Sequence, residues 1–229
     1  MTFEPNPSGR KSKQKMKDFS RLQNQLSKLS PEDRKFVLAA LPKHKLEIEF
    51  DINAERILDA IARASDLTKR GIRGIIAEEV FIKDALPLQL KNTEWSISDT
   101  AASDSPYDAV IKHSRGFEVS IQVKNQRVER GTVKVVNGKW IVEVQKTRTG
   151  RNPDGKATRP YRFEDFDIIA VCLWPGTKDW NRFAYCLTKN LIPRKKDPNL
   201  IQIMQPIPTC VEEGTWTSSL PNLLRNFEI

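Results

Sequence analysis

Two short stretches of the sequence hold side chains whose types suit one kind of chemistry. Asp108 lies in the first stretch, and Gln122 and Lys124 lie in the second, beyond a polar turn. Cleavage of a phosphodiester bond needs oxygen ligands for a hard cation such as Mg²⁺ and a positive group near the attacking water or the phosphate. A carboxylate, an amide oxygen and an ammonium group can supply these functions.

Both stretches are predicted to be β-strands, because Val and Ile alternate with polar residues along them. In the second strand, the apolar residues occupy one face, and Gln122 and Lys124 occupy the other, since residues two apart lie on the same side of a strand. If the two strands pair across the turn, Asp108 lies beside both side chains. An ordinary hairpin with a solvated polar face explains the same pattern and stays open as the alternative.

The order of these residues resembles the PD-(D/E)xK nuclease superfamily, which includes many restriction endonucleases and Holliday-junction resolvases. Here the motif reads Pro106-Tyr107-Asp108, a hairpin, and then Gln122-Val123-Lys124. The chain departs from the family pattern twice. Tyr107 separates the proline from the aspartate, and Gln122 stands where the family usually has an acid, which leaves less negative charge for a metal ion.

A helix ahead of the hairpin carries the other acid that the resemblance implies. Family members commonly place a metal-binding Glu on such a helix, and the segment Gly74-Ile75-Ile76-Ala77-Glu78 is similar to that setting. We prefer Glu78 to Glu79, because Glu78 lies at the edge of the apolar stripe that faces the core. In the alternative interpretation, both acids are surface residues that pair with Arg73 or Lys83.

The resemblance implies a Mg²⁺-dependent reaction with a role for each residue. Asp108, Gln122 and Glu78, helped by the Val123 carbonyl, would hold one or two cations directly or through water. Lys124 would orient or help to deprotonate the attacking water and stabilise the charged phosphate. The predicted catalytic set is therefore Glu78, Asp108, Gln122 and Lys124.

The charge distribution favours a nucleic-acid partner. The 229 residues include 38 Lys and Arg against 29 Asp and Glu, a net charge of +9, which fits a polyanionic ligand. Residues 1–45 hold 11 basic and 4 acidic side chains, and residues 146–162 hold six basic and one acidic. The second patch is a turn-rich loop that suits a DNA groove, although a flexible solvated loop would have the same composition. The predicted DNA contacts are Arg127, Lys146, Arg148, Arg151 and Lys156.

The order of elements predicts an α/β fold, with a restriction-endonuclease-like core of a mixed central β-sheet flanked by helices. The resemblance covers about residues 70–195. Residues 1–50 are predicted to form a basic N-terminal arm and helical appendage, and residues 51–229 to form the nuclease domain.

Three local patterns add detail to this fold. Alternation predicts a short strand over Leu46–Phe50, and a helix that starts at Asn53 is expected to break at Arg70–Gly74. Asn137-Gly138 predicts a tight hairpin turn. Continuous apolar residues over 168–174 predict a strand that is buried on both faces.

Several classes of protein are disfavoured. No stretch approaches the roughly 20 apolar residues of a membrane span, and no signal peptide opens the chain. Cys172, Cys186 and Cys210 lack metal-site spacing, so we interpret them as residues of a protein in a reducing compartment and expect a cytoplasmic location. A zinc site is not expected, because only His44 and His113 could add ligands.

Within the superfamily, a chain of this size most resembles a type II restriction endonuclease that acts on double-stranded DNA as a homodimer. A Holliday-junction resolvase or a DNA-repair nuclease is the nearest alternative. A non-catalytic DNA-binding protein on the same scaffold is a second alternative, because Gln122 replaces an acid. A structural or interaction protein with a solvated strand face is a third.

Overall fold

The structure is a computed structural model that describes residues 21, 24–25, 27–40, 42–100, 105–129, 131–146, 159–212 and 214–227. The chain divides into two compact units between Arg63 and Ala64. The functional boundary that the sequence places between residues 50 and 51 remains a prediction. Residues 1–20, 22, 23, 26 and 41 of the predicted basic arm and helical appendage lie outside the described residues.

The first unit contains the helices α1 (Pro31–Ala40), α2 (Lys45–Glu49) and α3 (Ala54–Arg63). The strand predicted at Leu46–Phe50 is wrong, because α2 occupies this segment. The Nδ1 atom of His44 accepts a hydrogen bond from the Leu46 amide at 3.2 Å, and the Glu47 carboxylate accepts one from the His44 amide at 2.8 Å. This reciprocal cap satisfies the first amides of the helix and outweighs five residues of alternating polarity.

The second unit mixes helices and strands. Its helices are α4 (Asp66–Val80), α5 (Leu86–Leu90), α6 (Trp174–Thr177) and α7 (Leu220–Leu224). Its strands are β1 (Trp95–Thr100), β2 (Ala109–His113), β3 (Glu118–Asn125), β4 (Val128–Glu129), β5 (Thr132–Val133), β6 (Val135–Val136), β7 (Lys139–Glu143), β8 (Ile168–Cys172), β9 (Phe183–Leu187) and β10 (Met204–Ile207).

The helix break predicted at Arg70–Gly74 is wrong, because α4 runs through this segment. The break lies earlier, at Ser65, whose Oγ accepts a hydrogen bond from the Thr68 amide at 3.2 Å and caps α4. Each glycine lowers helix stability by only about 1 kcal/mol relative to Ala. The packing of α4 against β3 is sufficient to hold Gly71 and Gly74 in the helix.

A π-helical turn, Phe81–Ala85, joins α4 to α5. Here the Leu86 amide donates to the carbonyl of Phe81, five residues earlier. Pro87 follows directly, and a proline ring clashes with the carbonyl four residues before it in a regular α-helix. We attribute the wider turn to Pro87, since it shifts the hydrogen-bond partners by one residue at this point.

The principal sheet has five strands in the order β1-β2-β3-β8-β9. The β3–β8 pair is parallel and the other neighbours are antiparallel, so the sheet is mixed. One hydrophobic cluster includes Phe81 and Ile121, and a second includes Tyr161 and Ile169, so the sheet separates two cores. The predicted α/β class with a mixed sheet flanked by helices is confirmed.

A second sheet has the strand order β10-β7-β6. The turn between β6 and β7 contains Asn137 and Gly138 at φ values of 49° and 73°. Both lie in the left-handed region that a tight hairpin requires and that Asn and Gly tolerate best. The predicted hairpin is confirmed.

Candidate active site

The predicted β2–β3 hairpin brings Asp108 to the strand that carries Gln122 and Lys124. The two strands pair with Ala109 opposite Ile121, and the Asp108 amide donates to the Ile121 carbonyl at 2.9 Å. Asp108 therefore lies directly before β2, beside the C-terminal half of β3. This is the juxtaposition that the alternating pattern predicts.

The Asp108 carboxylate is held against β3 by two donors. Its Oδ2 atom accepts a hydrogen bond from the Val123 amide at 2.7 Å, and it also accepts one from Nε2 of Gln122. The same Nε2 donates to the Val123 carbonyl at 3.0 Å. The amide group of Gln122 thus bridges two oxygens that the resemblance assigns to a cation.

Tyr161 completes this cluster and is the residue that the sequence interpretation missed. Its hydroxyl donates to Oε1 of Gln122 at 3.1 Å and accepts from Nζ of Lys124 at 3.3 Å. The Lys124 ammonium lies 5.2 Å from the centroid of the same ring. The only available signal was the position of this tyrosine between the basic stretch and a buried strand.

The polar face of β3 is covered by protein at Gln122. The side chain of Gln122 is only 3% exposed, and Tyr161 lies over it. A buried amide without partners would destabilise the fold, so the contacts to Asp108, Val123 and Tyr161 are required. The alternative of a simple solvated hairpin face is wrong at this position.

Glu78 of α4 belongs to the same electrostatic cluster. Glu78 is partly buried, whereas Glu79 is exposed. Burial raises the pKa of the Glu78 carboxyl, the negative charge of Asp108 raises it further, and the positive charge of Lys124 opposes both effects. The interaction with Asp108 and Lys124 favours Glu78 over Glu79, as the sequence interpretation does.

Asp108 and Lys124, both in the hairpin, have shifted pKa values as well. Burial raises the pKa of the Asp108 carboxyl, although Lys124 and the hydrogen bonds from Val123 and Gln122 lower it. Burial lowers the pKa of the Lys124 ammonium, while the carboxylates of Asp108 and Glu78 raise it. Opposed shifts within one cluster are typical of catalytic sites.

The raised pKa of Glu78 predicts a pH-dependent effect on stability. The folded state favours the protonated carboxyl, so the stabilisation from this group is complete below the unfolded-state pKa of about 4.3 and is lost as pH rises through the folded-state value. Glu78→Gln should therefore raise the Tm at pH 8 by about 1–2 °C without divalent cations, and should leave it unchanged near pH 4. Thermal unfolding at the two pH values measures the difference.

Glu79→Gln is the matched control, because it removes the neighbouring exposed carboxylate from the same helix. It should give a smaller Tm gain at pH 8 than Glu78→Gln, because the charge of Glu79 is the smallest of the contributions that raise the pKa of Glu78. An equal gain for Glu78→Gln at pH 8 and near pH 4 would contradict the predicted linkage.

The donors of this cluster fit a hard divalent cation. Asp108 and Glu78 offer carboxylate oxygens, and Gln122 and Val123 offer amide and main-chain carbonyl oxygens, which are ligands that Mg²⁺ accepts. Burial raises the pKa of both carboxyls, so a cation would offset the cost of two nearby negative charges. Ligation through Oε1 of Gln122 requires a half-turn of its amide group, since Nε2 now faces Asp108.

The candidate cluster contains few acidic ligands. Within the described residues, no group of three or more His, Cys, Asp and Glu side chains could hold a metal ion. The candidate cluster has two carboxylates and depends on amide and carbonyl oxygens for the remaining ligands. Binding of Mg²⁺ by Asp108, Gln122 and Glu78 stays a prediction.

The structure describes two of the five predicted DNA contacts, Arg127 and Lys146. Arg127 is already paired, because its guanidinium contacts the carboxylates of Glu129, at 2.8 Å, and of Glu143. Lys146 lies 3.3 Å from the Asp165 carboxylate and 5.4 Å from the centroid of the Tyr161 ring, which places it next to the candidate site. The remaining three, Arg148, Arg151 and Lys156, lie outside the described residues.

Two further sequence interpretations concern the whole chain. Cys172 and Cys186 are buried and unpaired, and Cys210 is exposed. In the part of the chain that the structure describes, no helix has the length and apolar character needed to cross a bilayer.

Comparison with known proteins adds only a distant likeness. No protein-family model matches the chain, and no curated protein matches it. A solved structure of a bacterial homing endonuclease, I-Ssp6803I, is similar over 69% of this chain and 95% of its own, with 19% sequence identity and a TM-score of 0.41.

Proposed function

We propose that this protein is a Mg²⁺-dependent DNA endonuclease of the PD-(D/E)xK type that hydrolyses phosphodiester bonds. One observation carries the proposal. Asp108 is hydrogen bonded to the main chain of β3 between Gln122 and Lys124, and the charges of Asp108 and Lys124 both act on Glu78 of α4. Two carboxylates, an amide and a lysine from separate elements thus converge in a partly buried place.

Each residue has a task in this mechanism. Asp108 and Glu78 would provide the negative charge that attracts the cation, and Gln122 and the Val123 carbonyl would supply further oxygen ligands. When bound, Mg²⁺ offsets the charge of the phosphate that is cleaved. The Lys124 ammonium orients the attacking water and stabilises the negative charge that develops on the phosphate.

The lowered pKa of Lys124 suits a second task. A lysine whose ammonium is destabilised by burial releases a proton more readily than an exposed one, so Lys124 can help to deprotonate the water. The nearby carboxylates of Asp108 and Glu78 limit this shift. In its neutral form the amine would take the proton from the water, and the ammonium that results would then stabilise the negative charge on the phosphate.

A DNA substrate is supported by the basic side chains beside the cluster. The Lys146 amide donates to the Arg159 carbonyl at 2.9 Å, and Nε of Arg159 donates to the Lys146 carbonyl at 3.2 Å. Lys146 and Arg159 flank the basic stretch 147–158. Lys146 lies beside the ring of Tyr161, and Arg159 precedes Tyr161 by two residues in the sequence. Cationic side chains at this position would contact the phosphates on either side of the cleaved bond.

Within this proposal we favour a type II restriction endonuclease. Two active sites are needed to cut both strands of duplex DNA together, so a homodimer with two-fold symmetry suits this substrate. A Holliday-junction resolvase or a repair nuclease would use the same cluster on a different DNA form. A non-catalytic DNA-binding protein would retain the basic residues without cleavage.

The proposal is tested by incubating the purified protein with unmethylated duplex, junction and single-stranded DNA, with Mg²⁺ and with EDTA. We expect Mg²⁺-dependent cleavage, with discrete fragments from the duplex, and DNA affinity that falls steeply as salt is raised. Salt-dependent binding without cleavage of any form would favour the non-catalytic alternative. Absence of both cleavage and binding would exclude the nucleic-acid function.

A further inference from the structure

We propose that Tyr161 is a positioning residue that fixes Lys124 and Gln122 relative to each other by a hydroxyl bridge between them. The inference deepens the proposed nuclease function and rests on it for its catalytic consequence.

Tyr161 itself is held rigidly. Its side chain is only 4% exposed, and its ring packs edge-on against Phe166 with 5.2 Å between the centroids. Its carbonyl accepts a hydrogen bond from the Ile201 amide at 2.9 Å. Because packing fixes the ring and the main chain is anchored, the hydroxyl has a defined position.

The hydroxyl uses both of its hydrogen-bonding functions on β3. It has one proton, which it donates to Oε1 of Gln122 at 3.1 Å, and it accepts from Nζ of Lys124 at 3.3 Å. Gln122 and Lys124 are two residues apart and lie on the same face of the strand. One phenol therefore joins the two side chains of the motif that project from this face.

Lysine in particular needs such an anchor. Its ammonium is a point charge at the end of a flexible four-carbon chain, and it does not orient itself as a guanidinium does. Displacement of a catalytic group by about 1 Å can cost roughly a hundredfold in rate. The Tyr161 hydroxyl, together with the ring face beside the ammonium, limits Lys124 to one position.

Gln122 benefits in a different way. Its amide could face either way, and the Tyr161 hydroxyl can donate to Oε1 or accept from Nε2, since a phenol does both. The bridge can therefore persist when the amide makes the half-turn that ligation of a cation requires. Tyr161 would thus anchor Gln122 with and without the metal ion.

Tyr161→Phe tests the proposal, because it retains the ring and its packing while it removes the hydroxyl. We expect the rate constant of cleavage at saturating DNA to fall about tenfold, with little change in KM, since this hydroxyl is buried and bonded to Gln122 and Lys124. Tyr185→Phe is the matched control. Tyr185 is equally buried but belongs to the other hydrophobic cluster, so its variant should cleave like the wild type.

A second measurement decides the positioning role without using activity. NMR relaxation of ¹³Cε-labelled lysines, measured at one pH for all variants, gives an order parameter that reports how rigid each lysine side chain is. In the wild type and in Tyr185→Phe, Lys124 should be well ordered. In Tyr161→Phe its order should fall towards that of exposed Lys91.

The possible outcomes separate the two proposals. Unchanged order of Lys124 in Tyr161→Phe overturns the positioning role, whether or not the protein cleaves DNA. Cleavage by Tyr161→Phe at the wild-type rate overturns the catalytic consequence of the bridge. The nuclease proposal would still be supported if Lys124→Ala loses cleavage. If Lys124 loses order as expected but no DNA form is cleaved, the bridge is confirmed and the nuclease proposal fails.

Discussion

Replacement of Asp108 by Asn is expected to abolish cleavage and to spare DNA binding. The carboxylate is the group that the main chain of β3 holds at the centre of the cluster, through the Val123 amide at 2.7 Å. Asn removes its negative charge and one oxygen ligand while it keeps the size of the side chain. We expect the rate of cleavage to fall by about a thousandfold or more, as is common when a member of a catalytic set is removed.

DNA affinity should be unchanged or higher, because the variant removes a negative charge near the phosphate backbone. Affinity for Mn²⁺, measured by electron paramagnetic resonance as a substitute for Mg²⁺, should fall by at least about tenfold. Asp84→Asn is the control, since it removes an exposed carboxylate at the junction of α4 and α5. An Asp108→Asn protein that cleaves at the wild-type rate would remove the basis for the nuclease proposal.

The residues that can be predicted from the sequence are those linked by local periodicity. Asp108, Gln122 and Lys124 lie in one hairpin, and the two-residue period of a strand is enough to place the last two on one face. Glu78 is preferred to Glu79 by its position on the edge of a helical stripe, and it is the more buried of the two. In both cases the relevant neighbours are within a few residues along the chain or across a single turn.

Features that depend on distant contacts could not be predicted. Tyr161 reaches Lys124 across a separation of 37 residues, and no pattern within either segment links the two side chains. The burial of Gln122 depends on what covers the polar face of β3, which alternation along one strand does not reveal.

The two local errors have a different cause. At Leu46–Phe50, five alternating residues were too few to exclude a helix, and the side-chain caps of His44 and Glu47 decided the structure. At Arg70–Gly74, tertiary packing outweighed the low helix propensity of two glycines. In both segments, a free-energy difference of about 1 kcal/mol determines which structure forms. The contacts that supply it are not visible in the pattern of apolar and polar residues.

Replacement of Lys124 by Met should also abolish cleavage, but with the opposite effect on metal affinity. Met keeps the length and apolar packing of the side chain and removes the ammonium. Loss of the positive group near the phosphate should lower the rate of cleavage by about a thousandfold. The same loss removes a charge that repels a divalent cation from Asp108 and Glu78, so Mn²⁺ should bind roughly tenfold more tightly at pH 8, a gain of about 1.4 kcal/mol.

The size of this effect depends on pH in a way that can be checked. Lys124 lowers the pKa of both carboxyls, so its removal raises them and makes protons stronger competitors of the cation at low pH. The gain in Mn²⁺ affinity should therefore shrink as the pH falls. Lys112→Met, which removes a half-exposed lysine paired with Glu118 in the same hairpin, should change neither cleavage nor metal affinity.

Together, Asp108→Asn and Lys124→Met distinguish a residue that binds the metal ion from one whose charge acts on the DNA phosphate. Asp108→Asn should lose cleavage and metal affinity together, whereas Lys124→Met should lose cleavage while it binds metal more tightly. A parallel loss of metal affinity in both variants would mean that Lys124 maintains the structure of the site and does not act on the phosphate. Tighter metal binding with undiminished cleavage would mean that the water and the phosphate are activated without Lys124, and the role proposed for it would be wrong.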